Sequence, residues 1–295
     1  MVFMLSGVIS CEKIKNFNWK NIFNVTGISD SFKSDNENFD MNVHFLDVGK
    51  ADCIYIKFRD RNILIDAADK DPSSIVKEYL KKQGISKFDL VAVSHPHRDH
   101  IGQMEDVIKE FEIKKFIEPD LPENLIPTGN TYKRMLKAIY NKKVDSELIL
   151  GTKEIKIDDL KINILGPIEK NDKNINNDSI VIKITYSDVS FIFMGDAQKE
   201  EEESILKSGK DVKADVIKIG HHGSKTSSSE SFLKKVSPKY AIISVGPDKS
   251  NLPKEEILAR IKKVCPGVSI HRTDLEGNII VSTNGKDIKV KSEKK

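Results

Sequence analysis

The amino-acid sequence predicts a single layered α/β domain, because short strand-like runs alternate with helical stretches from Met41 onwards. A chain of 295 residues can bury a sizeable core, and it suits one domain of about 250 residues with terminal extensions. A hydrophobic fraction of 38% with 32% charged residues excludes a disordered chain and a bundle of membrane helices.

The first residues differ from the rest of the chain. Met1 to Ser10 is almost wholly apolar, and the run Val8-Ile9-Ser10-Cys11 resembles the site at which bacterial lipoprotein signals are cut and lipidated. The segment is too short to span a bilayer and lacks a positively charged start. We expect residues 1–11 to be a truncated lipoprotein signal that anchors an extracytoplasmic protein to a bacterial membrane through Cys11. The alternative is a frayed terminus on a cytoplasmic protein. Residues 12–40 are predicted to be a flexible tether.

The predicted domain, residues 41–285, opens with strands and a helix. The strands are Val43–Val48, Cys53–Phe58, Asn62–Asp66 and the apolar run Leu90–Val93, and a helix over Pro72–Gln83 ends at Gly84. A second set of strands follows at Ile155–Leu165, Ile180–Tyr186, Val189–Met194, Val216–Ile219, Tyr240–Val245, Val268–His271 and Asn278–Val281. Helices are predicted at Gln198–Lys207, Ser229–Val236 and Lys254–Val264. Residues 286–295 are expected to form a basic tail. Cys53 and Cys265 are expected to be small core residues.

The run His95-Pro96-His97-Arg98-Asp99-His100 follows the strand Leu90–Val93 directly. It holds more metal ligands than one ion can comfortably use. We therefore expect His95 and His97 to bind one ion, and Asp99 and His100 to bind its neighbour.

Two later segments can complete such a site. Asp196 ends the apolar run Phe191–Met194, and His221 and His222 lie between glycines after another strand. Taken alone, Asp196 would suit a helix N-cap and the two histidines would suit a loop.

Together these motifs resemble the metallo-β-lactamase superfamily, and most closely the hydrolase domain of ComEC-type DNA-uptake proteins and their free-standing relatives. The resemblance spans about residues 41–284. It extends to the segments Asp47–Asp52, Ile63–Asp66, Asn176–Ser179, Ile243–Gly246 and Arg272–Gly277. It implies a four-layer αββα sandwich. The chain departs from the pattern at Lys50-Ala51, where Gln-Gly is usual, and at Gln103, where a second Gly is usual. We expect these changes to alter loops rather than chemistry.

The resemblance also implies roles for the site residues. Asp196 would bridge two divalent ions, Zn or Mn, with His221 as a further ligand and Asp99, Asp196 and His222 in catalysis. Which of His221 and His222 binds metal is left open. Asp66, Asp47 and Asp52 would orient the ligands from behind. The superfamily's usual third histidine on the first ion has no counterpart near Asn177–Ser179, which predicts a weakly held metal there. His271 and His44 are expected to be packed strand residues.

The expected activity is phosphodiester or nuclease hydrolysis by a metal-bridging hydroxide, with single-stranded DNA as a candidate substrate. Residues 205–295 carry 19 Lys+Arg against 10 Asp+Glu, and Lys218, Lys225, Lys249 and Arg272 lie on or near the motif loops. Ser224, Lys225, Asn177 and Ser179 are the candidate substrate-binding residues. An envelope or small-molecule ester, amide or lactone hydrolase is one alternative. A non-catalytic DNA- or wall-binding module is another. No protein partner can be inferred.

Overall fold

The computed structural model describes residues 39–71, 73–247 and 249–294. The predicted signal, the lipidated Cys11 and nearly all of the predicted tether lie outside the described residues. Phe39 and Asp40 belong to the folded unit, where the Asp40 carbonyl accepts a hydrogen bond from the Arg59 amide at 2.9 Å. Within the described ranges, no helix combines the length and the hydropathy needed to cross a membrane.

Two mixed sheets face each other. The first has the order β17-β16-β1-β2-β3-β5-β7-β8 and the second the order β15-β14-β13-β12-β11-β10-β9, with a small β4-β6 pair beside the first. The strands are β1 Met41–Phe45, β2 Ile54–Phe58, β3 Arg61–Ile65, β4 Lys87–Phe88, β5 Leu90–Ala92, β6 Glu112–Ile113, β7 Phe116–Pro119, β8 Ser146–Ile149, β9 Lys153–Ile157, β10 Leu160–Gly166, β11 Val181–Tyr186, β12 Val189–Phe193, β13 Val216–Lys218, β14 Tyr240–Ile243, β15 Ser269–Arg272, β16 Ile279–Thr283 and β17 Ile288–Ser292.

Helices cover the outer face of each sheet. They are α1 Ile75–Lys82, α2 Arg98–Ile101, α3 Met104–Glu110, α4 Asn130–Lys142, α5 Lys199–Lys207, α6 Glu230–Val236, α7 Glu255–Val264 and α8 Thr273–Glu276. Apolar side chains of α1, α3 and α4 pack on the first sheet, and those of α5, α6 and α7 pack on the second. A third cluster, which includes Phe45 and Phe193, fills the space between the sheets. The predicted four-layer αββα sandwich is therefore confirmed.

The structure corrects three predictions. The predicted strand Ile155–Leu165 is two antiparallel strands, β9 and β10, joined by a turn. The first strand ends at Phe45 rather than Val48, because the chain then turns and the amide of Leu46 bonds the Cys53 carbonyl at 3.0 Å. The predicted basic tail is wrong from Ile288 to Ser292, which form β17 beside β16. Its apolar residues Ile288 and Val290 pack on the core. The lysines between them suit an edge strand, which charge protects from further pairing.

The segment from Glu112 to Ile149 was not assigned from the sequence. It supplies β6, β7, α4 and β8. Of these, β7 and β8 extend the first sheet to its edge. Cys53 and Cys265 are free and buried, as predicted.

Candidate metal centre

The predicted ligands lie just after three strands that end at one edge of the sandwich. His95 to His100 follow β5, Asp196 follows β12, and His221 and His222 follow β13. β5 belongs to the first sheet, whereas β12 and β13 are parallel neighbours in the second. The site therefore straddles the two sheets.

His95, His97 and Asp196 form the first ligand group, with one ligand atom of each lying within 4.8 Å of the others. His95 Nε2 is 3.7 Å from Asp196 Oδ2 and 2.9 Å from His97 Nδ1. The sequence predicted this pairing of His95 with His97.

Asp99, His100 and His222 form the second ligand group under the same distance limit. His100 Nε2 is 3.4 Å and His222 Nε2 is 3.7 Å from Asp196 Oδ1. His222 Nε2 is also 3.7 Å from Asp99 Oδ2. The two carboxylate oxygens of Asp196 thus face different ligand groups.

His221 lies on the side of the first group. Its Nε2 is 3.6 Å from Asp196 Oδ2, the same oxygen that faces His95. His222 belongs to one of the ligand groups, whereas His221 belongs to neither, although its Nε2 faces the same carboxylate. The expectation of a poorly held first ion stays a prediction.

Buried polar atoms test whether a cation fits this arrangement. Among the described residues, His100 Nε2, His222 Nε2 and Asp196 Oδ1 are buried with no hydrogen-bond partner. Buried polar atoms without partners are rare because each carries a desolvation penalty. All three converge on one place, and imidazole nitrogen with carboxylate oxygen is a donor set for Zn or Mn. The residues fit a divalent ion.

The ring nitrogens that face away from the centre are held by other groups. His222 Nδ1 donates to the Ser244 carbonyl at 2.9 Å, and His100 Nδ1 lies 2.8 Å from Asp66 Oδ2. His95 Nδ1 is 3.2 Å from the Ser94 hydroxyl. A proton on each Nδ1 leaves Nε2 as the ligand atom. The predicted supporting role of Asp66 agrees with this contact.

Charge within the centre is balanced between imidazoles and carboxylates. Burial, reinforced by His100, lowers the pKa of His95 well below its ordinary value. Burial opposes ionisation of Asp196, but His100 and His222 still hold the pKa of its carboxyl well below its usual range. Burial likewise opposes protonation of His100, whose pKa the carboxylates of Asp196 and Asp66 nevertheless raise. The field that favours a proton on His100 also favours a metal cation beside it.

An unusual turn presents the paired histidines. His221, His222 and Gly223 have consecutive positive φ values of 49°, 52° and 79°. For the two histidines this conformation costs about 1 kcal/mol or more each, a form of strain typical of functional sites. It places adjacent imidazoles on opposite oxygens of Asp196.

Gly195 lets Asp196 approach the first sheet. Its φ is +53°, and a Cβ there would lie 2.7 Å from Ser94 Cβ and 3.2 Å from Ser179 Cβ. Any other residue would push β12 away from the histidine run.

Asp47 is not part of the centre, which corrects the prediction. Its amide donates to Asn278 Oδ1 at 2.8 Å, and its carboxylate pairs with Lys294 at 3.3 Å. Because β1 ends at Phe45, the side chain of Asp47 faces β16 and β17 instead of the ligands.

Asp52 supports the centre through Lys218. Lys218 Nζ lies 2.9 Å from Asp52 Oδ2, and the two side chains are 0% and 1% exposed. Asp52 Oδ1 is 3.7 Å from His222 Nδ1. Lys218 was expected to attract an anionic substrate, but it is buried and neutralises Asp52. Arg272 is also engaged, through both carboxylate oxygens of Asp274.

Asn177 and Ser179 were predicted to bind substrate, and this stays a prediction. Asn177 Oδ1 accepts from the Gln198 amide at 3.0 Å, and Ser179 Oγ accepts from the Asp196 amide at 3.2 Å. Both side chains are almost fully buried, at 3% and 0% exposure. They hold the Asp196 loop in place from beneath.

Ser224 and Lys225 lie at the mouth of the centre, where Lys225 is exposed. Ser224 Oγ is 3.1 Å from Thr226 Oγ1, which is 3.1 Å from His221 Nδ1. Their predicted contact with substrate stays a prediction. Ser229, a few residues further along, caps α6 by accepting from the Phe232 amide.

The remaining two histidines lie away from the ligands. His44 is buried and bonds Tyr79 at 2.8 Å, whereas His271 bonds Glu276 at 2.9 Å on β15. Both are packed strand residues, as predicted. Ser94 was not singled out from the sequence, although it directly precedes His95. Ser244, which follows β14, was noted only as part of the segment Ile243–Gly246.

The sequence model of the metallo-beta-lactamase superfamily matches residues 46–246. ComE operon protein 3 of Bacillus subtilis (strain 168) is 31% identical over 202 residues, which cover 68% of this chain and 25% of that protein. Competence protein ComA of Neisseria gonorrhoeae is 26% identical over 234 residues, or 78% of this chain and 30% of that protein. The chain thus spans less than a third of the length of these relatives.

Among solved structures, the metallo-beta-lactamase fold protein YhfI from Bacillus subtilis matches with a TM-score of 0.55 and 11% identity. The match covers 82% of this chain and 99% of that one. At this identity, the similarity establishes the fold alone.

Proposed function

The chain belongs to the metallo-beta-lactamase superfamily, and from its site we propose that it is a dinuclear metal-dependent hydrolase of phosphodiester bonds. The observation that carries the proposal is the carboxylate of Asp196. One oxygen faces His95 and His221, and the other faces His100 and His222. An ion beside Oδ1 would use the unpartnered nitrogens of His100 and His222, and a second ion beside Oδ2 would be held by His95, His97 and His221.

The ligand chemistry suits zinc or manganese equally, because both accept imidazole and carboxylate. Bound divalent ions would supply a water acidified towards neutrality and would offset negative charge on a phosphoryl oxygen. The residues of the chain hold and orient the ligands. Asp66 and Ser244 fix the imidazole tautomers, and Gly195 sets the approach of Asp196.

Two observations favour a phosphodiester over other substrates. Two curated relatives carry the names ComE operon protein 3 and Competence protein ComA, which connects the family branch to competence. Lys50 Nζ lies 3.2 Å from Asp99 Oδ2 at the edge of the centre, which adds a cation beside the ligands. An anionic substrate, with single-stranded DNA as the leading candidate, suits this charge.

The direct test is hydrolysis of bis-p-nitrophenyl phosphate and of a single-stranded oligonucleotide, with Mn²⁺ or Zn²⁺ added. His97→Ala removes a ligand of the first group, so we expect it to lower kcat at least ~100-fold. His271→Ala is the matched control, because His271 bonds Glu276 far from the ligands. Equal rates for wild type and His97→Ala would contradict the proposal.

The same assay separates the alternatives. Hydrolysis of an ester, amide or lactone without phosphodiester cleavage would favour the small-molecule hydrolase. Binding of DNA without turnover, in a protein that takes up no metal, would favour the non-catalytic module. About two metal ions per chain, which His97→Ala reduces, would support the dinuclear enzyme.

A further inference from the structure

A pocket of about 450 Å³ opens beside the metal centre. Residues of three loops and of α2 line it: Val48, Lys50, Asp69, Arg98, Asp99 and Pro247. Asp99 belongs both to this pocket and to the second ligand group. The pocket is therefore adjacent to the second ligand group, and a molecule with one end at the metal centre can extend into it.

Lys50 places one positive charge in this pocket. Its Nζ lies 3.2 Å from Asp99 Oδ2, and only 28% of its side chain is exposed. The loop that carries Lys50 is packed tightly, because a Cβ on Gly246 would lie 2.5 Å from Gly49 Cα and 3.0 Å from the Lys50 amide nitrogen. The backbone that carries the ammonium group is thus held in place, and Asp99 contacts the group itself.

Arg98 places a second positive charge in the pocket. Its Nε and Nη2 bond the two carboxylate oxygens of Asp69 at 2.7 and 2.9 Å. This bidentate contact orients the guanidinium, and 69% of the side chain stays exposed. The rest of the guanidinium remains accessible to a ligand from solvent.

Gln103 holds the Asp69 loop from behind. Its Nε2 donates to the Asp69 carbonyl at 2.9 Å, and its Oε1 accepts from the Val76 amide at 3.1 Å. The side chain is 2% exposed, so these contacts form inside the protein. Gln103 therefore ties Asp69 to the start of α1.

One of the two departures from the family pattern lines this pocket. Lys50 replaces the usual Gln and brings a charge into it. Gln103, which replaces a usual Gly, does not line the pocket and acts only from behind, through the carbonyl of Asp69. We expected both changes to alter loops only, but Lys50 adds a cation beside the ligands.

We propose that Lys50 and Arg98 form an anion subsite that holds a phosphate next to the one at the metal centre. The proposal rests on the proposed phosphodiester activity and names its substrate class: a strand with several consecutive phosphates, rather than an isolated phosphodiester. Asp69 and Asp99 balance the two formal positive charges, but Asp99 also belongs to the second ligand group, and an ion held there would draw on its charge. Arginine and lysine at fixed positions are the side chains that bind phosphate in proteins.

The test compares Lys50→Gln with wild type, because glutamine removes the charge and keeps a polar side chain that the family pattern places there. Binding of a labelled oligothymidylate is followed by fluorescence anisotropy in EDTA, which stops hydrolysis, at several salt concentrations. Loss of one phosphate contact lowers the log–log salt slope by about 0.7 for a single strand. We expect that decrease for Lys50→Gln and a larger one for Lys50→Gln/Arg98→Gln.

Lys286→Gln is the matched control. Lys286 is exposed in the turn after β16, at the end of the sheet opposite the ligands, and should leave the slope unchanged. In steady-state assays, Lys50→Gln should raise KM for the oligonucleotide about tenfold. The increase for bis-p-nitrophenyl phosphate, which has no second phosphate, should be much smaller.

An unchanged salt slope, an oligonucleotide that does not bind the wild type, or an equal rise of KM for both substrates would overturn the subsite. Failure of the proposed activity looks different. The wild type would then hydrolyse neither substrate, while the anisotropy slopes would still report whether Lys50 contacts phosphate.

Discussion

Asp66 is a buried carboxylate that contacts His100 on the ring nitrogen that faces away from the metal centre. It is 1% exposed, accepts from the amide and the hydroxyl of Ser94 at 2.7 Å each, and lies 2.8 Å from His100 Nδ1. Its φ of 61° is a left-handed value that is uncommon outside glycine. The backbone thus accepts strain to place this side chain behind His100.

We expect Asp66→Ala to weaken metal binding at the second ligand group by about 10- to 100-fold, because His100 loses the acceptor that fixes its tautomer. Isothermal titration with Zn²⁺ would measure the change. Asp47→Asn is the matched control, since Asp47 pairs with Lys294 away from the ligands. If Asp47→Asn weakened binding as much as Asp66→Ala, the assignment of the two roles would be wrong.

At the residue scale, the sequence predicted the ligands better than their surroundings. Imidazole and carboxylate groups at strand ends can be identified from residue type and spacing, and His95, His97, Asp99, His100 and Asp196 do come together. The contact between Lys218 and Asp52 joins residues 166 positions apart. Such a pair has no local pattern, so Lys218 was taken for a surface cation.

Among the helices, α5 carries a carboxyl group with an unusual environment. Glu201 is 4% exposed and accepts from the Ile168 amide at 2.9 Å. Burial, with smaller contributions from Asp178 and Glu169, raises the pKa of Glu201 from its ordinary 4.5 to about 8. The folded protein therefore binds this proton more tightly than the unfolded chain.

This raised pKa predicts a loss of stability as pH rises. The stabilising effect of the proton is complete below pH 4.5 and is lost progressively as pH rises through about 8. Glu201→Gln keeps an acceptor for the Ile168 amide and has no proton to lose. We expect its free energy of unfolding to exceed that of wild type by on the order of 2–4 kcal/mol at pH 8. At pH 4.5 the two free energies should differ little. Urea unfolding at both pH values measures this, and an equal difference at each would contradict it.

At the element scale, strands with clear apolar runs were predicted and short ones were not. The apolar runs in β11 and β12 stand out, whereas β4 and β6 have two residues each and too little sequence to show alternation. The start of α6 agrees with the predicted helix, since Ser229 Oγ accepts from the Phe232 amide and caps it.

Across the whole molecule, one buried ion pair joins the two sheets beneath the metal centre. Lys218 ends β13 in the second sheet, and Asp52 precedes β2 in the first. Lys218 Nζ also donates to the Ile219 carbonyl at 3.0 Å. The pair therefore fixes the spacing between the halves that supply the ligands.

We expect Lys218→Met to lower the free energy of unfolding by about 3–5 kcal/mol, because it leaves the Asp52 carboxylate buried without a partner. The double variant Asp52→Asn/Lys218→Met removes both charges and should recover part of that loss. Guanidinium unfolding of the two single variants and the double variant gives the coupling free energy between the side chains of Asp52 and Lys218. Strictly additive effects would mean that the two side chains do not interact.

The architecture as a whole was predicted from the resemblance, since the motifs imply the sandwich that the sheets form. The C-terminal boundary of the domain was not predicted correctly. Residues 286–295 are rich in lysine, and the alternation of Ile288 and Val290 with lysines is too short to distinguish an edge strand from a charged tail.

The place of β1 has a consequence for how the protein is made. β1 pairs with both β2 and β16, and Asn42 meets Ser282, 240 residues later. At ribosomal rates of about 5–20 residues per second, the first strand waits on the order of 10–50 s for its second neighbour. During translation its free edge is exposed to other nascent chains. A chaperone that shields this edge would thus matter most for this protein before the ribosome releases it.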